Sequence, residues 1–238
     1  MRILAIESSA KAASCALTDG ETLVAESFQN TALTHSATLL PMVEDMLKSS
    51  GRKLADAECI AVACGPGSFT GLRIGVAAAK GLAWAAQLPC AGCSSLESLA
   101  WNLAHMEGQE ICAVMDARRQ QVYRARFLAQ GGNLVRLCED GAVSLEELEK
   151  ELENPQILVG DGAELCYNSL QGGPVPLTLA PPHLRFPSAW GVARCAQALA
   201  LAGKLTGPDD LVPNYHRLSQ AERERQERLR REGSGEET

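Results

Sequence analysis

The sequence predicts an α/β fold made of two similar halves, each with a mixed sheet and flanking helices. An apolar strand that ends at an acidic residue opens each half, RILAIE up to Glu7 and EICAVMD up to Asp116. A glycine turn follows each acid at a similar distance, at Gly20 and at Gly131. Glycine in a short turn between two apolar strands favours a β-hairpin. The repeated order of strand, acid, turn and strand indicates a duplicated unit whose boundary falls near 105–110.

In the first half, three apolar strands are followed by a helix, a strand and a second, longer helix. Asp19 and Gly20 form the dipeptide of a hairpin turn. Apolar residues then recur at helical spacing after Thr34, a candidate N-cap, and the pattern stops at Gly51. The strand CIAVACG leads into a glycine-rich loop, and we expect Ser68 to cap the long helix that follows.

The second half repeats the three strands and continues with shorter helices. Ser144 and Glu147 have the spacing of a capping box, and the last strong helical pattern covers 188–205. A return of the C-terminal segment to pack on the first half stays open. We expect three segments, namely an N-terminal subdomain with the partner-docking helices, a C-terminal subdomain and a partly disordered charged tail, at 1–105, 106–212 and 213–238.

Composition limits the classes of protein to which the chain can belong. The 238 residues contain no apolar run of the ~20 residues that a membrane span needs, so we expect a cytoplasmic protein without membrane contact. Nine cysteines are scattered without a disulfide framework, which is typical of reduced, packed thiols. Cys90 and Cys93 have redox-motif spacing, but they fall in a short predicted strand, so a structural role is favoured.

The charge pattern disfavours general binding of nucleic acid. The formal net charge is −7, whereas a phosphate backbone attracts basic surfaces. Near the C-terminus, glutamates alternate with a cluster of arginines, which predicts a solvated helix with i,i+4 ion pairs. A backbone-binding arm is the alternative for these residues. The cluster consists of Arg217, Arg223, Arg225, Arg228, Arg230 and Arg231.

Evidence for a cofactor, a metal or a catalytic group is weak. The four histidines are not spaced as helical metal ligands, and no histidine is paired with Ser68 as a base. We therefore expect no catalytic residue, no metal and no cofactor, with ATP as the alternative. Asp116 is expected to pair with a nearby arginine. The cofactor candidates for that alternative are Glu7, Ser8, Ser9, Asp116, Gly160 and Gly162.

The segment GPGSFTGLRIG at 65–75 is the densest motif. It fits neither the dinucleotide fingerprint, which needs a glycine where Thr70 stands, nor the phosphate loop, which ends in Gly-Lys-Ser/Thr. Small residues recur instead at every fourth position, and on a helix they share one face. Such a ridge permits close helix packing, either within its own domain or against another chain. The ridge consists of Gly67, Gly71, Gly75, Ala79 and Ala83.

Five segments together resemble one family, TsaB (also called YeaZ), within the superfamily of actin, sugar kinases and heat-shock ATPases. They are ILAIESS, HSATLLPMV, CGPGSFTGLRIGVAAAKGLA, MDARRQQVY and PNYHRLSQAERER. The resemblance covers most of the chain and implies a two-domain, duplicated actin-like (ASKHA) fold. It departs at Glu7, where the family has a shorter aspartate, and this weakens any metal role.

The resemblance implies a non-catalytic subunit that is required for the formation of threonylcarbamoyladenosine on tRNA, next to the anticodon. It implies that the chain binds and activates the catalytic paralogue TsaD, with the ATPase TsaE completing the assembly. TsaD holds its metal through two histidines, and Ser95 and Leu99 stand in those positions here. The alternatives are a stand-alone ATP-binding protein or ATPase, a peptidase and a nucleic-acid-binding module.

The resemblance also decides between the two neighbours that the small-residue ridge permits, in favour of another chain. The same face is expected to form a homodimer when the protein is alone, and tRNA is expected to bind only within the complex. The implied interface residues are His35, Leu39, Leu40, Val43, Gly67, Phe69, Thr70, Gly71, Arg73, Ile74, Gly75, Ala78 and Ala79.

Overall fold

The computed structural model describes residues 1–31 and 33–216 as two sheets with helices on both faces of each. The first sheet contains β1 (Arg2–Glu7), β2 (Ala13–Asp19), β3 (Thr22–Gln29), β4 (Cys59–Gly65) and β5 (Cys90–Ser94). The second contains β6 (Glu110–Asp116), β7 (Gln121–Gln130), β8 (Asn133–Arg136), β9 (Gly141–Ser144), β10 (Gln156–Val159) and β11 (Leu177–Leu179). The helices are α1 (His35–Ser49), α2 (Phe69–Ala86), α3 (Ser95–Ala100), α4 (Leu145–Glu151), α5 (Ala163–Leu170) and α6 (Ala189–Leu201). Short 3-10 turns lie at Leu54–Asp56, Trp101–Leu103, Pro182–Leu184 and Pro208–Asp210.

The two sheets have the same topology. The first has the order β3-β2-β1-β4-β5, and the second has the order β8-β7-β6-β10-β11, with β9 paired to β7. In each, the first three strands pair antiparallel. β4 and β10 pair parallel to the central strands β1 and β6, and β5 and β11 extend these parallel pairs. The predicted duplication of a mixed α/β unit is therefore confirmed.

The helices do not divide between the sheets as the strands do. α1 and α2 cover one face of the first sheet, and α4 and α5 cover the outer face of the second. The remaining two are exchanged, because α3 packs on the second sheet and α6 packs on the first. They meet at Gly191, where an added Cβ would collide with the carbonyl oxygen of Ser98. A boundary at 105/106 thus separates the strands but not the helices.

The C-terminal segment returns to the first half, the arrangement that the sequence left open. Thr206 pairs with Cys90 of β5, and the N–H of Asn214 donates to the carbonyl oxygen of Cys64 at 2.7 Å. The first residues of the expected tail, 213–216, continue this returning segment. The arginine cluster and the rest of the tail lie outside the described residues.

Local signals in the sequence are mostly confirmed. Ser68 caps α2 by accepting a hydrogen bond from the N–H of Gly71 at 3.3 Å. Ser144 and Glu147 form the capping box of α4. Thr34 occupies the N-cap of α1, but its side chain makes no capping hydrogen bond. Within the described part of the chain, no helix combines the length and the apolar character needed to cross a membrane.

Candidate functional site

The two halves enclose a cleft of about 1090 Å³ on the side of α1 and α2. The β1–β2 loop and the N-terminal ends of α1 and α2 form one wall, and the β6–β7 loop forms the other. This edge is where the carboxyl ends of the central parallel strands meet, a common place for ligands in α/β folds. The cleft therefore brings the cofactor candidates near the implied interface.

The small-residue ridge of α2 faces this domain and not another chain. A Cβ added at Gly71 would collide with the carbonyl oxygen of Ser8, and one added at Gly75 would collide with Ser8 Oγ. A Cβ added at Gly67 would lie 2.5 Å from the carbonyl oxygen of Ser9. Ala79 is also fully buried in the core. The expectation that the ridge meets another chain is wrong, because the β1–β2 loop already occupies the space that the missing side chains leave.

Two donors of the β1–β2 loop are hydrogen-bonded within the protein, whereas the buried Ser9 Oγ has no hydrogen-bond partner among the described residues. Ser8 Oγ donates to the carbonyl oxygen of Gly71 at 2.9 Å, and the N–H of Ser9 donates to Glu7 Oε1 at 2.5 Å. Glu7 is completely buried, and its Oε2 has no hydrogen-bond partner among the described residues. Burial raises the pKa of Glu7 to about 7, although hydrogen bonds from Ser9 and Ser8 oppose this change. These contacts do not fit an ATP phosphate.

The second set of cofactor candidates is also committed to local packing. An added Cβ at Gly160 would collide with the carbonyl oxygen of Val114, and at Gly162 it would lie 3.1 Å from the N–H nitrogen of Asp116. Both glycines therefore let this turn pack against the end of β6. An arginine side chain is the expected partner of Asp116, and the backbone N–H of Arg118 donates to Asp116 Oδ1 at 2.6 Å.

Asp161 lies beside Asp116 in the cleft and was missed by the sequence reading. Its Oδ1 accepts a hydrogen bond from the N–H of Asp116 at 3.0 Å. Burial raises the pKa of Asp161, and the nearby negative charge of Asp116 acts in the same direction. Across residues 1–31 and 33–216, no group of three or more His, Cys, Asp or Glu side chains is placed to hold a metal ion.

The implied interface residues divide into buried and accessible sets. The buried ones are enclosed by this chain and offer no exposed surface to a partner. They are Leu39, Val43, Gly71, Gly75 and Ala79. The accessible ones form a surface on α1 and α2, which we call the α1–α2 surface. They are His35, Leu40, Gly67, Phe69, Thr70, Arg73, Ile74 and Ala78.

Tyr215 adds a residue to the α1–α2 surface that periodicity did not reveal. Its ring stacks on Phe69 with centroids 4.1 Å apart, and Arg73 Nε donates to its hydroxyl at 2.9 Å. Only the PNYHRL segment of the resemblance gave a signal for it. The C-terminal segment thus contributes directly to the surface beside the cleft.

The positions that would carry metal-binding histidines are closed. Ser95 and Leu99 are both fully buried, and Leu99 packs in the core of the second sheet. Ser95 Oγ has no hydrogen-bond partner among the described residues.

Comparison with other proteins agrees with this geometry. The family model described as TsaD, tRNA N6-adenosine threonylcarbamoyltransferase, matches residues 24–171. YeaZ from Pseudomonas aeruginosa has a TM-score of 0.79 and 26% sequence identity, over 90% of this chain and 99% of that chain. A second solved structure, described as an uncharacterized protein with similarity to peptidase YeaZ from Pseudomonas aeruginosa, has a TM-score of 0.78 and 26% identity, over 91% of this chain and 99% of that chain.

The duplicated sheets around an interdomain cleft define a two-domain α/β protein with the fold of YeaZ from Pseudomonas aeruginosa. The TsaB protein of Bacillus subtilis (strain 168) is 36% identical over 231 residues, which are 93% of this chain and 96% of that protein. The TsaB protein of Escherichia coli (strain K12) is 34% identical over 222 residues, which are 91% of this chain and 95% of that protein. The chain belongs to the TsaB family of tRNA threonylcarbamoyladenosine biosynthesis proteins.

Proposed function

We propose that this chain is an accessory subunit in the formation of threonylcarbamoyladenosine on tRNA, and that it binds and activates a TsaD-type catalytic protein. The supporting observation is the identity of 36% across 96% of a protein named for this biosynthesis. In this proposal the chain works in the cytoplasm, a TsaE-type ATPase completes the assembly, and tRNA binds only to the complex. In the absence of these partners, two copies of the chain form a homodimer through the α1–α2 surface.

The composition of the α1–α2 surface supports a docking role. Leu40 is 50% exposed, and so is Trp84 further along α2. Ile74 and Ala78 are partly exposed between them, and Arg73 supplies charge. A patch with an apolar centre and a polar rim is typical of protein interfaces. The buried ridge residues Gly71, Gly75 and Ala79 do not contribute to it, so the docking proposal depends on the accessible residues alone.

The site chemistry supports an accessory role in preference to catalysis. Ser8 Oγ and the N–H of Ser9 are hydrogen-bonded within the protein, and the two metal-ligand positions hold buried Ser95 and Leu99. Ser68 accepts the capping hydrogen bond of α2 from the N–H of Gly71, which is a structural role. These contacts favour a binding subunit over an ATPase or a peptidase.

Reconstitution with a TsaD-type protein, a TsaE-type protein, threonylcarbamoyl adenylate and tRNA tests the proposal. We expect modified nucleoside, measured by mass spectrometry, to fall at least tenfold when this chain is omitted. Equal product with and without the chain would contradict the proposed function.

Two surface variants test the docking site within that assay. Leu40→Glu and Ile74→Glu place a charge in the apolar centre, and we expect each to weaken binding of the catalytic protein at least tenfold. Leu201→Glu is the matched control, because Leu201 is 85% exposed on α6, which covers the other face of the first sheet. Unchanged binding by both test variants would show that the partner docks elsewhere.

A further inference from the structure

A second interdomain groove of about 930 Å³ lies on the α6 side of the first sheet. Its floor is β3, one wall is α6, and the other wall belongs to the second half and the turns next to it. Aromatic side chains line much of it, including Phe28, Trp101, Phe186 and Trp190. It shares no lining residue with the cleft, so it is a separate feature.

A β-bulge in β3 turns two large apolar side chains into this groove. Thr18 pairs with Leu23 and Leu17 pairs with Ala25, so Val24 is the extra residue. The bulge shifts the alternation by one position and places Leu23 on the same face as Phe28. Leu23 is 42% exposed and Phe28 is 46% exposed. The floor of the groove is therefore apolar and open.

The charges of the groove are unbalanced toward negative. Arg194 already stacks on Trp101 and Trp190, at 4.8 and 5.5 Å from the ring centroids, and pairs with Glu21 at 3.3 Å. Glu26 accepts only the backbone N–H of Trp190, at 3.2 Å, and no Lys or Arg of the described residues pairs with it. Withdrawal from water raises the pKa of Glu26, so a cation beside it would stabilise the ionised carboxylate.

The backbone of β3 offers a matching set of hydrogen-bonding groups. β3 is the edge of its sheet, and in the described part of the chain its only strand partner is β2. An open edge accepts an extended peptide as an added strand, whose alternate side chains point to one face. Glu26 and Phe28 are two residues apart on the groove face, so they would meet side chains two residues apart on that peptide.

We propose that the groove and the edge of β3 bind an extended peptide segment of another protein, with a lysine or arginine opposite Glu26 and an apolar residue two positions away opposite Phe28. The added strand satisfies the free backbone groups of β3. The basic side chain pairs with Glu26, and the apolar one covers Phe28. This surface lies away from the α1–α2 surface, so it is independent of the proposed function.

A pair of synthetic octapeptides tests this inference on the full chain. Both are capped at the ends and have a serine and threonine background with one leucine, and two positions before the leucine one has lysine and the other glutamate. Calorimetry is expected to show saturable binding of the lysine peptide at least tenfold tighter than of the glutamate peptide. Slower hydrogen exchange of the β3 amides on binding is the second expected result.

Charge reversal provides the decisive variant. Glu26→Lys is expected to weaken binding of the lysine peptide at least tenfold and to strengthen binding of the glutamate peptide. Glu146→Lys, on exposed α4, is the matched control and should change neither. Absence of saturable binding at 1 mM peptide, or equal effects of the two variants, would overturn the inference. Tighter peptide binding by a chain that ends at His216 would also overturn it, since residues 217–238 of this chain would then be the occupant.

Discussion

Three glycines of α2 lie in different surroundings, so alanine is expected to change the stability of the protein differently at each of them. Gly81 has no heavy atom within 4 Å of an added Cβ. At Gly75 the added carbon meets Ser8 Oγ and lies 3.3 Å from Val62 Cγ2, and at Gly71 it meets the carbonyl oxygen of Ser8. All three positions have helical backbone, so alanine is conformationally allowed and only the neighbours differ.

The expected changes in the free energy of unfolding follow from two opposing effects. Alanine in place of glycine inside a helix stabilises by about 1 kcal/mol, whereas overpacking a filled site costs about 1–3 kcal/mol. Gly81→Ala is therefore expected to stabilise by up to ~1 kcal/mol. Because a backbone oxygen cannot move aside, the overpacking cost at Gly71 is expected at about 2–3 kcal/mol, so Gly71→Ala should destabilise by about 1–2 kcal/mol after the helix gain is subtracted. Gly75→Ala should fall between them, since a serine hydroxyl can rotate.

Urea unfolding followed by circular dichroism measures these changes, and a double-mutant cycle identifies the cause. Ser8→Ala removes the hydroxyl that the new carbon would meet at Gly75, so Gly75→Ala should cost less in that background by about 1 kcal/mol. Gly71→Ala should keep its cost, because the carbonyl oxygen remains. If Gly71→Ala were as stable as the wild-type chain, the close packing of α2 on the β1–β2 loop would be refuted.

Three further outcomes are expected. Gln120 has φ +58, so Gln120→Gly should stabilise by about 0.5–1 kcal/mol in urea unfolding, while Gln171→Gly, at φ −62, should not. Burial raises the pKa of Glu7 to about 7 from 4.5, so the carboxyl favours the fold below pH 4.5 and this contribution is lost as pH rises through 7. Glu7→Gln should therefore gain stability relative to wild type between pH 4.5 and pH 8, by as much as about 3 kcal/mol, and an equal difference at both pH values would contradict the burial of this group. Cys138 is partly exposed and the other eight cysteines are buried, so a thiol reagent should modify about one thiol quickly in the folded chain, and rapid reaction of several would show that the core is open.

The duplication was predictable because its signals are local. An acid at a strand end and a glycine in the next turn recur in both halves, and each reports the conformation of its own few residues. The exchange of α3 and α6 was not predictable in the same way. Periodicity shows that α6 has an apolar face around Val192 and Ala196, but both sheets offer an apolar surface and the pattern does not choose between them.

The same limit explains the error at the glycine ridge. Spacing identified the smooth face of α2 correctly, but the atoms that fill it belong to Ser8 and Ser9, about 60 residues earlier in the chain. In the sequence, Ser8 and Ser9 are recognisable as possible phosphate ligands, but nothing local indicates that they pack against α2. The bulge at Val24 was likewise invisible, because one extra residue in a strand leaves no mark in composition.

The exchanged helices mean that the chain cannot be cut into two independent proteins at its apparent midpoint. A fragment that ends at residue 105 would lack α6 and would leave Ile3, Ala5 and Ala61 of its sheet uncovered. A fragment that starts at residue 106 would lack α3, which shields Ile111 and Ala113. Each half thus completes the interior of the other. In a large interdomain opening, α3 would have to move with the second sheet and α6 with the first.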